Sequence, residues 1–128
     1  MSDVKIKDLR DFVATYPSDT VINVMSTENC LAARWAKQKF GWSTVNVSFA
    51  FVGENAANRT LSLPRSFAGF LEDLVDGIGK GEDVGYPYDD NGLYMTAAQL
   101  FDELDTLSED PVTQILAKIQ EQDYKLAA

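Results

Sequence analysis

Apolar side chains recur every three or four residues in five stretches of the chain, and this spacing is typical of helices that bury one face. The clearest stretch follows Pro64, where Phe67, Leu71 and Leu74 share one side of a helix and Glu72 lies on another. Capping residues, prolines and glycines mark the ends of the stretches. The pattern predicts five helices, at residues 4–16, 28–40, 64–78, 97–107 and 111–122.

Alternation of apolar and polar residues predicts a small sheet. The clearest alternation runs through residues 45–51, and residues 59–63 can pair with it as the second strand of a hairpin. A short β-branched run at residues 20–25 predicts another strand, and the turn-rich stretch 79–94 is interpreted as a long surface loop. These elements predict a single α+β domain over residues 1–128, with about five helices packed on an antiparallel sheet of two or three strands.

The amino-acid composition excludes several kinds of catalytic and metal-binding site. The 128 residues include no histidine and one cysteine. An imidazole general base, a histidine metal ligand and a cysteine cluster are therefore excluded. Cys30 lies near the start of a predicted helix with no histidine to act as its base, so we interpret it as a small buried core residue. The sequence predicts no catalytic residue, no metal site and no cofactor.

The charges are divided very unevenly along the chain, whose net charge is −9. Residues 1–65 carry eight bases and six acids, a net charge of +2. Residues 66–117, the acidic half, carry one base, Lys80, and twelve acids, a net charge of −11. We predict these acids as a partner-binding surface: Glu72, Asp73, Asp76, Glu82, Asp83, Asp89, Asp90, Asp102, Glu103, Asp105, Glu109 and Asp110.

The acidic half is unusual because it contains almost no lysine or arginine to balance its acids. Acids on exposed helix faces are normally interleaved with lysine and arginine, and without them the surface repels itself. A plain solvated face is the simpler interpretation. A dense array of carboxylates can also imitate the phosphates of DNA and occupy a basic groove on another protein. Asp110 has a second predicted role, because with Pro111 it forms a typical start for the last helix.

One segment carries a resemblance. The sequence TENCLAARWAKQKFG, preceded by a helix that ends in a proline-containing turn, is similar to a pattern in small uncharacterised proteins of bacteriophages and mobile elements, over residues 6–41. That group has no assigned activity. In general character, the chain also resembles acidic phage-encoded anti-defence inhibitors, including anti-CRISPR and anti-restriction DNA mimics. This resemblance implies a phage-encoded protein that acts in the host cytoplasm.

We therefore expect a non-enzymatic interaction protein that binds and inhibits a basic, nucleic-acid-handling host protein. Direct nucleic-acid binding is not expected at this net charge. The longest apolar stretch, residues 45–52, is too short to cross a membrane, and a signal peptide is not evident, so we expect a cytoplasmic protein without a membrane partner. Two alternatives remain: a small enzyme or ligand-binding domain that uses carboxylates and Tyr86, Tyr88 or Tyr94, and a virion assembly protein. The sequence leaves the oligomeric state open.

Overall fold

The computed structural model describes residues 3–26, 29–48, 50–54 and 59–110. Four helices and six strands lie within this part of the chain, so the predicted α+β class is confirmed. The fifth predicted helix, at 111–122, falls outside the described residues. In chain order the elements are α1 (Ile6–Val13), β1 (Val21–Asn23), α2 (Leu31–Phe40), β2 (Asn46–Val47), β3 (Phe51–Glu54), β4 (Arg59–Ser62), α3 (Arg65–Gly79), β5 (Tyr88–Asp89), β6 (Gly92–Thr96) and α4 (Ala97–Thr106).

The strands form two small antiparallel sheets, where a single sheet was predicted. One sheet has the order β1-β6-β5, and the other has the order β2-β3-β4. Ile22 pairs with Met95 in the first sheet, and Val52 pairs with Leu61 in the second. Ile22, Met95 and Val52 are fully buried, so each sheet turns one face towards the core.

The strand predicted at residues 45–51 is wrong in its extent. The chain reverses after Val47, and β2 pairs back onto β3, with Asn46 opposite Gly53. The backbone N–H of Ser48 donates to the carbonyl of Phe51 at 2.9 Å and closes this reversal. Phe51 consequently lies half exposed, because the alternation does not continue through the turn. The predicted hairpin partner, β4, is confirmed.

The loop predicted at residues 79–94 contains strand β5 and the start of strand β6, which is a correction. β6 is the central strand of its sheet, paired with β1 on one side and β5 on the other. Leu93 and Met95 point into the core, whereas Tyr94 between them is half-buried. The turn-forming residues before Gly92 belong to the β5–β6 hairpin and to the segment that leads into it, which is why the stretch resembles a loop.

The helix ends follow local chemistry. α4 begins at a capping box, in which Thr96 accepts from the Gln99 N–H and the Gln99 side chain accepts from the Thr96 N–H. α2 ends at Gly41, whose φ of 69° is the left-handed conformation that glycine adopts without strain. α1 is shorter than predicted, and α2 begins at Leu31 rather than at residue 28.

The core lies between the helices and the two sheets. α1 packs against α4 and α2, and α4 also packs against β6 and β1. The helices bury their predicted apolar faces, with Leu9, Leu31, Phe67 and Leu100 all nearly inaccessible to solvent. Among the described helices, none is both long and apolar enough to cross a membrane. The long helix α3 thereby has one face in the core and its acidic face outside.

We predict that Gly92→Ala destabilises the protein. A Cβ atom at this position would lie within van der Waals overlap of the Asn23 side chain, which bonds to the Asn91 carbonyl and the Met25 N–H. Displacing that amide loses both hydrogen bonds, at a cost of about 1–3 kcal/mol in the free energy of unfolding measured with urea.

Gly69→Ala is the matched control. Gly69 lies inside α3, and no side chain of the described residues comes close to the place that an added Cβ atom would take. Alanine therefore gains helix propensity there without a clash and raises the free energy of unfolding by up to about 1 kcal/mol. Equal effects of the two substitutions would contradict the close approach of Asn23 to Gly92.

Candidate functional site

The three predicted acids of α3 lie on its solvent side. Glu72, Asp73 and Asp76 are exposed, opposite the buried stripe that includes Phe67 and Leu74. Asp76 forms an exposed ion pair with Lys80 one turn later, at 3.0 Å. Glu72 and Asp73 have no bonding partner in the described part of the chain. The three carboxylates project within about 6 Å of helix axis, a linear density similar to that of the phosphates of a DNA strand.

The four acids between α3 and β6 are also exposed, and local turns orient two of them. Asp83 accepts from the backbone N–H of Gly85 at 2.8 Å. Asp89 accepts from the Asn91 N–H at 2.8 Å and from the Tyr94 hydroxyl at 2.9 Å. These bonds are typical of Asx turns and fix the direction of the carboxylates without neutralising their charge. Glu82 and Asp90 project into solvent.

The three acids of α4 have different surroundings. Asp102 is exposed and has no partner among the described residues. The Tyr86 hydroxyl donates to Glu103 at 2.7 Å, so Glu103 fastens the segment before β5 to α4. Asp105 receives a bond from the guanidinium of Arg10 in α1 at 3.1 Å. Of the three acids of α4, Asp102 is therefore the one whose carboxylate is exposed without a partner among the described residues.

Glu109 and Asp110 are used inside the fold. The Asp110 carboxylate is buried and accepts from the backbone N–H of Arg65, the first residue of α3, at 2.7 Å. The Glu109 carboxylate accepts from the backbone N–H of Ile6, the first residue of α1. A carboxylate at a helix N-terminus satisfies an otherwise unpaired N–H and interacts favourably with the helix dipole. These two predicted partner-binding acids are therefore structural caps.

Counter-charge is scarce on the rest of this surface. In the described part of the chain, Lys80 and Arg10 form the ion pairs of its acids. The Lys80–Asp76 pair is exposed and the Arg10–Asp105 pair is partly exposed, and such ion pairs contribute little to stability. The predicted acids whose carboxylates have no hydrogen bond or ion pair to a described residue are Glu72, Asp73, Glu82, Asp90 and Asp102. We call these five residues the unpaired acids.

The loop tyrosines do not converge on one site. Tyr88 lines an open cleft of about 450 Å³ between α3 and the β5–β6 hairpin. Tyr86 packs towards α4, where burial and the hydrogen bond to Glu103 raise the pKa of its phenol to about 12. The hydrogen bond to Asp89 raises the pKa of Tyr94. Burial is the larger cause for Tyr86 and the neighbouring carboxylate is the larger cause for Tyr94, and both effects disfavour a phenolate.

Cys30 lies in the core at the start of α2. Its side chain is buried, and burial raises the pKa of its thiol. A raised pKa keeps a thiol protonated and unreactive at neutral pH, the opposite of an activated nucleophile. Among the described residues, no three acidic or sulfur side chains are grouped in a way that could hold a metal ion.

Sequence reasoning missed two arrangements near the second sheet. Glu54 is buried and accepts from the Thr44 N–H at 2.9 Å and from the Thr44 hydroxyl at 2.6 Å, which fastens the chain before β2 to β3. The Arg59 guanidinium lies 5.2 Å and 5.6 Å from the ring centroids of Phe40 and Trp42. Both arrangements join the end of α2 or the segment after it to a strand of the second sheet, and no local periodicity indicates them.

The position of Val75 differs from the one that its helical spacing predicts. The helical spacing puts it with the core residues of α3, but its side chain is 39% exposed. It lines the cleft beside Tyr88, together with Ile78. The apolar stripe of α3 is therefore wider than the surface that the rest of the protein covers.

Comparison of the chain with known protein families, with curated protein sequences and with solved structures gives no match.

We predict that Asp110→Ala lowers the free energy of unfolding by about 1–2 kcal/mol, because it removes the cap of α3. Asp90→Ala is the control, and we expect a change within about 0.5 kcal/mol because Asp90 is exposed. Urea unfolding followed by circular dichroism measures both values. Asp110→Ala and Asp90→Ala with the same stability would contradict the capping role.

We predict that the Tyr86 phenol keeps its proton well above pH 10. Its native pKa of about 12 exceeds the ordinary value of 10.0. The folded protein therefore binds the proton more tightly than the unfolded chain, and the associated stability is lost as pH rises from about 10 to 12. Tyrosinate absorbance measures this titration.

Tyr86→Phe should remove tyrosinate absorbance that develops near pH 12 and make the free energy of unfolding less dependent on pH above 10. Unchanged absorbance near pH 12 in this variant would contradict the bond between Tyr86 and Glu103.

Proposed function

We propose that this chain is a non-enzymatic interaction protein whose acidic surface binds a basic, nucleic-acid-handling protein in the manner of a DNA mimic. One observation carries the proposal. Residues 66–110 contain twelve acids and one base, and the unpaired acids project from α3, the segment between α3 and β6, and α4. Such a surface raises the local concentration of positively charged partners and speeds their association.

The positions of the acids support a binding role over a role in folding. Glu109 and Asp110 cap helices, and the Glu103 carboxylate joins two elements. The unpaired acids make no such contact, and their mutual repulsion lowers stability. A function in binding accounts for a charge density that the fold itself does not need.

The inhibitory role and the phage origin follow from the resemblance in general character, and they stay predictions. An inhibitor of this type would occupy the groove that its target uses for nucleic acid. Bound duplex DNA and the bound chain would then exclude one another, which makes competition by DNA the most informative property to measure. The enzyme, ligand-binding and virion assembly hypotheses make no such prediction.

The test compares two charge-matched variants. Glu72→Gln with Asp90→Asn neutralises two unpaired acids, whereas Asp11→Asn with Asp19→Asn neutralises two exposed acids outside the acidic half. Both variants have the same net charge. The wild-type chain is immobilised, basic proteins are captured from a bacterial lysate at low salt, and elution with duplex DNA at constant ionic strength is measured.

We expect duplex DNA to release the captured proteins from the wild type and from the Asp11/Asp19 variant. The Glu72/Asp90 variant should capture about tenfold less, which corresponds to roughly 0.7 kcal/mol for each removed charge. If the two variants capture equally, the acidic surface acts as a solubility device. If DNA releases nothing, the surface does not occupy a nucleic-acid groove.

A further inference from the structure

A groove lined by both apolar and polar side chains lies beside the unpaired acids. Val75 and Ile78 of α3 form one wall, Tyr88 of the β5–β6 hairpin forms the other, and Met25 lies between them. Val75 is 39% exposed and Tyr88 is 46% exposed, although both are large apolar or aromatic side chains. The volume of this cleft is about 450 Å³. Adjacent apolar side chains that remain accessible in a cleft are typical of a binding site.

The groove extends along α3. A second, more apolar cleft of about 330 Å³ shares Met25 and Ser26 with the first, and Leu71 and Val47 line it. Leu71 lies one turn before Val75 on α3, so the same helix borders both clefts. Positions 71 to 78 span about 10 Å of helix axis. The two clefts together therefore border enough of α3 for about three residues of an extended peptide.

The border of the groove is acidic. Asp89 and Asp90 of the β5–β6 turn line its mouth. On the α3 side, Glu72 precedes Val75 by three residues, which places the two side chains on neighbouring parts of the helix surface. Both Glu72 and Asp90 belong to the unpaired acids. Apolar walls with carboxylates on both sides are complementary to a segment that is itself both apolar and cationic.

We propose that this groove holds a cationic amphipathic peptide segment of the partner protein. The proposal rests on the proposed function and names the part of the partner that is recognised. Apolar side chains of the segment contact Val75, Ile78 and Tyr88, while lysine or arginine side chains beside them contact Asp90 and Glu72. The carboxylates supply long-range attraction, and the apolar contacts supply the short-range energy that slows dissociation.

Charge complementarity favours this occupant over a second copy of the chain. A second copy carries a net charge of −9 and would add repulsion at an acidic border. One of its several exposed bases, Lys7, is already paired with Asp11 at 2.6 Å and would have to exchange that partner. A basic partner has neither disadvantage.

The experiment uses fluorescence anisotropy with three labelled synthetic peptides of equal length. The first is rich in lysine with leucines interspersed, the second has serine in place of each leucine, and the third has glutamate in place of each lysine. The proteins are the wild type, Val75→Gln, Val21→Gln and the Glu72→Gln/Asp90→Asn variant. Val21 is the matched control, because it is 59% exposed but lies on β1 and does not line the groove.

We expect the wild type to bind the lysine–leucine peptide about tenfold more tightly than the lysine–serine peptide, and not to bind the glutamate peptide. Val75→Gln should weaken binding of the lysine–leucine peptide about fivefold and leave the lysine–serine peptide unchanged. Val21→Gln should change neither. The Glu72/Asp90 variant should weaken binding of both lysine peptides.

Two failures are distinguishable. If both lysine peptides bind equally and Val75→Gln has no effect, while the Glu72/Asp90 variant still weakens binding, then the groove proposal is wrong and the acidic-surface function stands. If neither lysine peptide binds, or if neutralising Glu72 and Asp90 has no effect, then the proposed function is wrong as well. Thermal melting of each variant confirms that the comparison is made between folded proteins.

Discussion

The amino ends of α1 and α3 are held by carboxylates from the short segment that follows α4. Asp110 accepts from the first N–H of α3, and Glu109 accepts from the first N–H of α1. The Ser66 hydroxyl donates to the Ser108 carbonyl at 2.6 Å in the same region. Three consecutive residues thereby connect two helices that are far apart in the sequence, and α4 is fixed to both of them.

A second set of bonds connects this junction to the smaller sheet. The Val4 N–H donates to the Ser62 carbonyl at 3.0 Å, and the Asp3 carboxylate accepts from the Ser62 N–H at 3.0 Å. The end of β4, the start of α1 and the start of α3 therefore meet at one place. With its amino end fixed there and its apolar face in the core, α3 presents Glu72, Asp73 and Asp76 to solvent and Val75 to the groove. The carboxylates that hold the helix ends are therefore different from the exposed carboxylates for which we propose a binding role.

The sequence predicted the helices better than the sheets, for a physical reason. The periodicity of α3 and the capping box of α4 are local signals, so their positions could be inferred from neighbouring residues. The two sheets depend on pairing between distant strands. The alternation through residues 45–51 is interrupted by a reversal of the chain. The turn-forming residues around β5 predicted a loop, so the central strand β6 was not recognised. Strand register is a tertiary property that one short alternating run does not determine.

The candidate surface was predicted in part. The exposure of Glu72, Asp73 and Asp76 follows from their spacing against the apolar stripe. The hydrogen-bond partner of Asp110 could not be inferred in this way, because the backbone N–H of Arg65 lies 45 residues earlier in the chain. The exposed position of Val75 also depends on what the rest of the chain leaves uncovered. Sequence spacing identified which side of α3 is charged, whereas the contacts of individual acids required the structure.

The central claim is that the acids of residues 66–110 form a surface whose charge the fold does not compensate. The free energy of unfolding of the wild-type chain, measured between about 0.01 M and 0.1 M sodium chloride, tests this claim most directly, because the Debye length falls from about 30 Å to about 10 Å over that range. Screening of uncompensated repulsion predicts that stability rises as salt is added. A fall in stability would show that attractive ion pairs dominate the surface, and it would contradict the account.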